Sequence, residues 1–256
     1  MPNLLKVQVQ VIRALAIRDI QAQQANLAYG FGWVFMDAVL SFAGLLVLRL
    51  AIKSFNRPGI PIIMFLISGL IPWLMFGACY RLPEGAIKKG RNLLQLPVIT
   101  ELDLVLASTV RIFITFTILF VGLAVIDSFY EGVPFPRFPL GISLLFICLC
   151  VMGTAFGFLL MALNRLYAPA GKFVGFFLRF STIFSGVIFQ VTMFPPQIWV
   201  YLTWNPLLHI MELLRTYWFY NYQTPIGSPL YVTECMIGML FFGLLVERYA
   251  RRRLQP

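Results

Sequence analysis

The chain has 256 residues, of which 60% are hydrophobic and only 12% are charged, and its mean hydropathy is +0.84. Soluble domains are about half apolar and about a quarter charged, so this composition excludes an ordinary soluble domain. The formal net charge of +10 raises the possibility of nucleic-acid binding. The distribution of the basic residues along the chain, given below, favours a membrane topology signal instead.

The first part of the chain, residues 1–28, is predicted to form an amphipathic helix on the cytoplasmic surface of the membrane. Its apolar residues recur at helical spacing: Leu5, Val9, Ile12, Ala16 and Ile20. Basic and polar residues interrupt the apolar run, so no cleavable signal peptide is expected. Residues 7–11 also alternate as in a β-strand, which leaves the first turns open.

Six apolar stretches follow, each near the ~20 residues that a helix needs to cross the hydrocarbon core. They are residues 32–52, 60–80, 104–126, 140–163, 173–194 and 229–246. Residues 81–103 are predicted to form a cytoplasmic loop in which Pro83 starts a short helix. Residues 195–228 are rich in Trp and Tyr and contain Pro195, Pro196 and Pro206, which favours short re-entrant or interfacial helices over a seventh span.

The orientation follows from the basic residues outside these spans. With six spans, thirteen Lys and Arg lie on the side of the two termini and four lie on the other side. Because the cytoplasmic side carries the excess of basic residues, both termini are predicted to be cytoplasmic.

Residue patterns give no indication of catalysis. The sequence contains no P-loop, HExxH, GxSxG or GxGxxG pattern. The four cysteines lie in apolar stretches without CxxC spacing, so they are interpreted as small buried hydrophobic residues. We therefore expect no catalytic residue, no metal site and no cofactor in this chain.

Several charged residues are candidates for a transport role. Arg49 and Lys53 are spaced i, i+4 near the outer end of the first span, where they either face a pore or extend to lipid headgroups. Arg111 and Arg179 lie within spans, and a charge there needs a partner, a cavity or the interface. Residues His209, Glu212 and Arg215 have the spacing of an ion-paired helical strip, which favours a gating or folding role.

Three stretches, in order, carry a resemblance to a known family. The first is Arg18-Asp19-Ile20 followed by Gly30, Trp33 and Asp37; the second is Asn92-Leu93-Leu94 with Pro97-Val98 and Leu102-Asp103; the third is Asn205-Pro206 with His209, Glu212, Arg215 and Tyr222. In these stretches and in its order of spans the chain resembles the ABC-2 type permeases that export capsular polysaccharide in Gram-negative bacteria, close to the O-antigen exporters. It departs from them at Ala38, where a proline is frequent, and at residues 21–26, which lack the usual basic residues.

The resemblance implies an all-α integral membrane protein of six transmembrane helices in the inner membrane. It implies a homodimer with two copies of an ABC ATPase that binds ATP and Mg, a lipid-linked polysaccharide as substrate, and further periplasmic or outer-membrane export proteins. The first and fifth spans would line the channel, with Trp33, Asp37, Arg49, Lys53 and Arg179 as candidate residues. ATPase coupling would use Arg18, Asp19, Glu84, Lys88, Asn92 and Leu93. The periplasmic gate would contain His209, Glu212, Arg215 and Tyr222.

Other classes of membrane protein remain as alternatives. An ABC-2 exporter of drugs or lipids has the same topology and the same kind of partner. An ion-coupled secondary transporter usually has internal repeats and broken helices with acidic groups at the midplane, and no convincing repeat is found. A membrane-embedded transferase needs an acidic metal-binding motif, which the sequence lacks.

Overall fold

The computed structural model describes residues 2–25, 36–44, 47, 61–132, 134–167 and 170–254, and within these ranges it contains helices and no strand. The long and short α-helices are α1 (Pro2–Ala25), α2 (described over residues 36–44), α3 (Ile62–Lys89), α4 (Glu101–Glu131), α5 (Pro139–Leu166), α6 (Ala170–Phe184), α7 (Pro196–Leu202), α8 (Pro206–Trp218) and α9 (Pro229–Leu254). Two single 3₁₀ turns lie at Leu93–Gln95 and Val191–Met193. The predicted all-α class is confirmed.

Four of the described helices are long and apolar enough to cross a membrane: α3, α4, α5 and the part of α9 at Pro229–Ala250. They coincide with the predicted second, third, fourth and sixth spans. The helix α4 is longer than predicted at both ends, because a capping box between Thr100 and Asp103 starts it and Gly132, at φ 64°, ends it. Most of the predicted first span, 32–52, lies outside the described residues, and the count of six spans stays a prediction.

The central helix of the bundle is α5, which packs against α3, α4, α6, α8 and α9. Its contact with α3 depends on two glycines one turn apart. A Cβ on Gly153 would lie 2.7 Å from Cys79 Cβ, and one on Gly157 would lie 2.5 Å from the Tyr80 carbonyl oxygen. The Gly153-x-x-x-Gly157 spacing therefore brings the two backbones together, as such spacing does in membrane helices.

The predicted boundary of the loop 81–103 is wrong in its first half. The helix α3 continues to Lys89 with Pro72 and Pro83 inside it, so Pro83 does not start a separate helix. A proline within a membrane helix is tolerated where a neighbouring helix packs against it. Here the Pro83 ring faces Gly157 of α5 closely enough that a Cβ on that glycine would lie 2.8 Å from Pro83 Cδ.

The predicted fifth span, 173–194, is also wrong beyond Phe184. The helix α6 has 15 residues, about 22 Å at 1.5 Å per residue, and it ends at Phe184. The chain then leaves helical geometry over residues 185–190, where Gly186 has φ 72°. Such a φ favours glycine, and the carbonyl groups that this segment frees need new partners.

Candidate functional site

The candidate site is built on α8, whose start is set by local sequence. The Asn205 side chain accepts a hydrogen bond from the Leu207 N–H at 3.0 Å, and Pro206 occupies the first helical position. The Asn205 amide nitrogen also lies 3.0 Å from Ser185 Oγ, which ties the start of α8 to the chain just after α6. Every residue from Leu207 to Arg215 is buried, so α8 is an internal helix that carries three ionisable side chains.

The guanidinium of Arg215 is fully buried and joins three parts of the protein. Its Nη1 lies 3.6 Å from Glu212 Oε1 one turn earlier on the same helix. Its Nη2 donates to the Val187 carbonyl at 3.1 Å and Nη1 donates to the Phe189 carbonyl at 3.4 Å. The Cζ atom lies 3.6 Å from the centre of the Phe65 ring on α3, a cation–π distance.

These contacts explain how the segment 185–190 leaves helical geometry inside the protein. Carbonyl groups without helical partners cost free energy in an apolar interior, and two of them accept from Arg215 instead. The close approach also requires Gly69 on α3, because a Cβ there would lie 2.5 Å from the Val187 carbonyl oxygen and 2.9 Å from Arg215 Nη2. Arg215 thus stabilises the end of α6 against α3 and α8.

The carboxylate of Glu212 balances this charge and is itself held on both oxygens. Tyr222 donates its hydroxyl to Oε2 at 2.7 Å, and the Val191 N–H donates to Oε1 at 3.4 Å. Burial raises the pKa of Tyr222 well above its ordinary value, so the hydroxyl stays protonated and remains a donor. Removal of one partner from a buried ion pair leaves the other charge uncompensated, so the two residues are needed together.

The third ionisable residue of α8, His209, lies outside the ion pair, so the predicted three-membered strip contains only two members. Its Nδ1 accepts from the Ser228 N–H at 3.2 Å, and its Nε2 lies 2.9 Å from the Thr203 carbonyl oxygen. Because Nδ1 must be an acceptor, the ring is neutral with the proton on Nε2. His209 therefore holds the turn before α8 and the start of α9 together.

A second group of candidate residues lies near the N-terminal end of α4, where α1 packs against it. Leu15 and Ala16 of α1 are buried against Leu104 and Ala107 of α4. The Ser108 hydroxyl donates to Asp19 Oδ2 at 2.9 Å, and Asp19 also pairs with Arg18 at 2.9 Å. Two candidate coupling residues, Arg18 and Asp19, thus lie on a helix that packs against α4 and is hydrogen-bonded to it.

The remaining coupling candidates lie at the end of α3 and in the connection to α4. Glu84 and Lys88 form an exposed pair at 2.7 Å on α3, and Asn92 is exposed. Leu93 is half-buried against the contact between α1 and α4. The structure therefore brings α1 and the segment around Leu93 together, as two parts of one surface.

No protein-family model matches the chain. Similarity to characterised proteins, however, extends over nearly its whole length. The chain is 26% identical over 247 residues to the polysialic acid transport protein KpsM of Escherichia coli, covering 95% of this chain and 94% of that protein. It is 22% identical to the capsule polysaccharide export inner-membrane protein CtrC of Neisseria meningitidis serogroup B and 21% identical to BexB, of the same description, of Haemophilus influenzae, covering 98% of this chain and 95% of each.

The chain is a homologue of capsule polysaccharide export inner-membrane proteins. That relationship agrees with the resemblance found in the sequence motifs. Four described helices of the chain are also long and apolar enough to span a bilayer.

Of the candidate channel residues in this chain, only Asp37 has a described side chain. It lies exposed on α2. Trp33, Arg49 and Lys53 lie outside the described residues, and Arg179 lies on α6 with its side chain outside the described part. The proposed channel lining therefore stays a prediction.

Two features of the structure were missed in the sequence analysis. Asp127 was placed beyond the third span, but it lies within α4, is 3% exposed, and has no partner for either carboxylate oxygen among the described residues. The irregular segment 185–190 was assigned to a helix. The first feature had a signal in the sequence, because Gly132 marks the true end of α4. The second had none, because Arg215, the partner of the irregular segment, is distant in sequence.

Proposed function

We propose that this chain is the transmembrane permease subunit of an ATP-driven ABC transporter that exports a lipid-linked capsular polysaccharide across the bacterial inner membrane. The observation that carries the proposal is the similarity over 95–98% of the chain to proteins named for capsule polysaccharide export or polysialic acid transport. The three sequence motifs support the same assignment. ATP and Mg would bind to a separate ATPase subunit, and this chain would hold no cofactor.

The proposed architecture is one ABC-2 type domain, residues 1–256, with six spans and both termini in the cytoplasm. Four described helices supply four of the spans. The helix α2 would belong to the first span, and α6 with the segment after it would form the fifth. Irregular backbone is tolerated at membrane depth only when protein buries it and satisfies its polar groups, and Arg215 supplies such partners here. On this proposal α7 and α8 are the re-entrant helices on the periplasmic side.

A channel between two copies of the chain is the proposed route for the polymer. The helix α6 supports this, because its exposed side chains include Phe173, Phe176 and Phe177. Such a face needs either lipid or a second protein surface to cover it. Together with the first span, to which α2 would belong, it would form a channel that includes Trp33, Asp37, Arg49, Lys53 and Arg179.

Movement is proposed to pass from the ATPase to the gate through helices that contact one another in the structure. The ATPase would dock on α1 and the segment at the end of α3, using Arg18, Asp19, Glu84, Lys88, Asn92 and Leu93. The packing of α1 on α4 would pass its movement into the bundle. At the other end, movement of α6 would pass to α8, because Arg215 binds the carbonyls that follow α6.

The experiment that tests this proposal is deletion of the gene in its host, followed by localisation of the capsular glycan in intact and permeabilised cells. We expect glycan inside the cell, a bare surface, and restoration by the wild-type gene. Deletion of the partner ATPase should give the same phenotype. Unchanged surface glycan would overturn the polysaccharide assignment and would favour an ABC-2 exporter of drugs or lipids.

A further inference from the structure

The last turn of α8 receives hydrogen bonds from a distant part of the chain. The final carbonyl groups of a helix have no partner within the helix, so they need one from elsewhere. Here the Phe138 N–H donates to the Tyr217 carbonyl at 3.0 Å, and the Arg137 N–H donates to the Trp218 carbonyl at 3.4 Å. Both donors lie in the connection between α4 and α5, which therefore caps the C-terminal end of α8.

The sequence of this connection explains why its N–H groups are available. The strap, residues 134–138, contains Pro134 and Pro136, which fix the backbone, and Pro139 follows in the first turn of α5. A proline also disfavours helical geometry in the residue before it, and Phe138 has φ −138° and ψ 78°. The strap therefore stays outside both helices, and its N–H groups can bind α8.

Side chains extend the contact between the strap and α8. The Phe138 ring meets the Tyr217 ring edge-on, with 5.4 Å between the ring centres. Gly141, in the first turn of α5, is in contact with both rings. A Cβ on this glycine would lie 2.8 Å from Tyr217 Cδ2 and would also overlap the Phe138 ring. The position of the two rings therefore depends on the absence of a side chain at residue 141.

The two ends of α8 are attached to different parts of the protein. At the C-terminal end, the Trp218 ring meets Phe120 of α4 edge-on at 5.4 Å, and the Phe120 ring centre lies 5.1 Å from that of Phe146 on α5. At the N-terminal end, Asn205 is hydrogen-bonded to Ser185 in the segment after α6. The C-terminal end of α8 is thus attached to α4, α5 and the strap, and the N-terminal end to α6.

We propose that the strap braces the periplasmic gate and that Phe138 is a positioning residue that keeps α8 in its closed place. This inference rests on the proposed function, in which α8 belongs to the gate and moves with the segment after α6. Because the strap holds the C-terminal end of α8 against α4 and α5, movement of α6 displaces the other end. Loss of the contact between Phe138 and Tyr217 frees the C-terminal end as well, and the gate then opens without a signal from the ATPase.

The brace is tested by hydrogen–deuterium exchange of the full chain in detergent, followed at the amides of residues 214–220. Phe138→Ala removes one ring of the aromatic pair, and exchange there should become about fivefold faster, the effect of losing one such pair. Gly141→Ala, which forces the two rings to move, should act in the same direction. Phe135→Ala is the matched control, because it removes the same ring from a strap position that is 75% exposed, and it should exchange as wild type. Unchanged exchange in both Phe138→Ala and Gly141→Ala would overturn the brace.

The effect on the gate is measured in cells that express the chain with its partner ATPase and contain β-galactosidase but lack lactose permease. o-Nitrophenyl galactoside then reaches the enzyme only through a leak in the inner membrane. At equal amounts of protein in the membrane, Phe138→Ala and Gly141→Ala should raise its hydrolysis several-fold, whereas Phe135→Ala should match wild type. A residue that only supports folding would not produce such a gain.

The outcomes separate the brace from the proposed function. Faster exchange in residues 214–220 without a leak would overturn the positioning role of Phe138, even if deletion of the gene traps glycan inside the cell. Unchanged surface glycan after deletion would overturn the export function itself, whatever the exchange rates are.

Discussion

Arg215 and Glu212 form an ion pair one turn apart on α8, with Nη1 3.6 Å from Oε1, and their side chains are 0% and 1% exposed. Each of the two charges has further partners on other parts of the chain. The pair therefore connects α8 with the segment after α6 and with the loop that contains Tyr222.

Removal of either charge should destabilise the protein more than removal of both. Arg215→Leu or Glu212→Leu leaves one buried charge unpaired, for which a loss of about 3–5 kcal/mol is expected. The double variant should recover part of that loss. Thermal unfolding of the four proteins in detergent, analysed as a double-mutant cycle, measures the coupling. Additive losses would show that the two charges act independently.

Tyr222→Phe should destabilise the protein by about 1–3 kcal/mol, because it leaves Glu212 Oε2 without the hydrogen bond from the tyrosine hydroxyl. The matched control is Tyr220→Phe, since Tyr220 is 60% exposed and its change should have little effect. Denaturation in detergent checks both variants. Equal stability of the two would contradict the role given to the Tyr222 hydroxyl.

The loss of stability caused by Tyr222→Phe should also depend on pH. Burial raises the pKa of Tyr222 above the ordinary value of 10.0, so the unfolded chain loses this proton before the folded protein does. The stabilisation is thus complete below about pH 10 and is lost as pH rises toward the folded pKa. The difference in unfolding free energy between wild type and Tyr222→Phe should narrow above pH 10. A difference that stays constant to pH 11 would argue against a protonated, buried Tyr222.

Gly157→Ala should separate α3 from α5, because its Cβ would lie 2.5 Å from the Tyr80 carbonyl oxygen. Overpacking of this kind costs about 1–3 kcal/mol. Gly122→Ala in α4 provides the control, since nothing lies within 4 Å of its added Cβ and it should gain about 0.5–1 kcal/mol. Thermal unfolding should therefore shift in opposite directions for the two variants, and a shift in the same direction would refute the close contact.

Leu96→Asp should reduce co-purification of the partner ATPase without loss of thermal stability. Leu96 is 52% exposed on the segment between α3 and α4, so it is free to contact a docked subunit. Leu93→Asp should reduce both quantities, because Leu93 packs half-buried against α1 and α4. Affinity purification and thermal unfolding of the two variants separate docking from folding. Full retention of the ATPase by Leu96→Asp would remove this segment from the docking surface.

Asp127→Leu should stabilise the isolated protein by about 1–3 kcal/mol, because it removes a carboxylate with no partner on either oxygen. The neighbouring cavity of about 180 Å³ is lined by apolar residues such as Phe42 and Leu123, which accept a leucine. Asp127→Asn, which removes only the charge, should give a smaller gain. Thermal unfolding checks both, and a loss of stability in Asp127→Leu would reveal a partner for this carboxylate.

Much of the fold followed from sequence because its causes are local. The runs at 104–126 and 140–163 are long and apolar, and a bilayer requires such segments to form helices whose backbone hydrogen bonds are internal. The spacing of Gly153 and Gly157 is likewise a local pattern of the kind that permits close helix contact in membranes. The motif around Asn205, His209, Glu212 and Arg215 marked the segment in which the buried cluster lies.

Only the tertiary structure decided where helices end and which polar groups meet. Pro83 looked like a helix start, but its ring packs on Gly157 of a helix far along the chain, and α3 continues through it. Residues 185–190 looked helical by their hydrophobicity, yet the chain leaves helical geometry there. It can do so because Arg215 donates hydrogen bonds to the carbonyl oxygens of Val187 and Phe189. Such contacts join residues 26 to 28 positions apart, and hydrophobic periodicity reports only on neighbours within a turn or two.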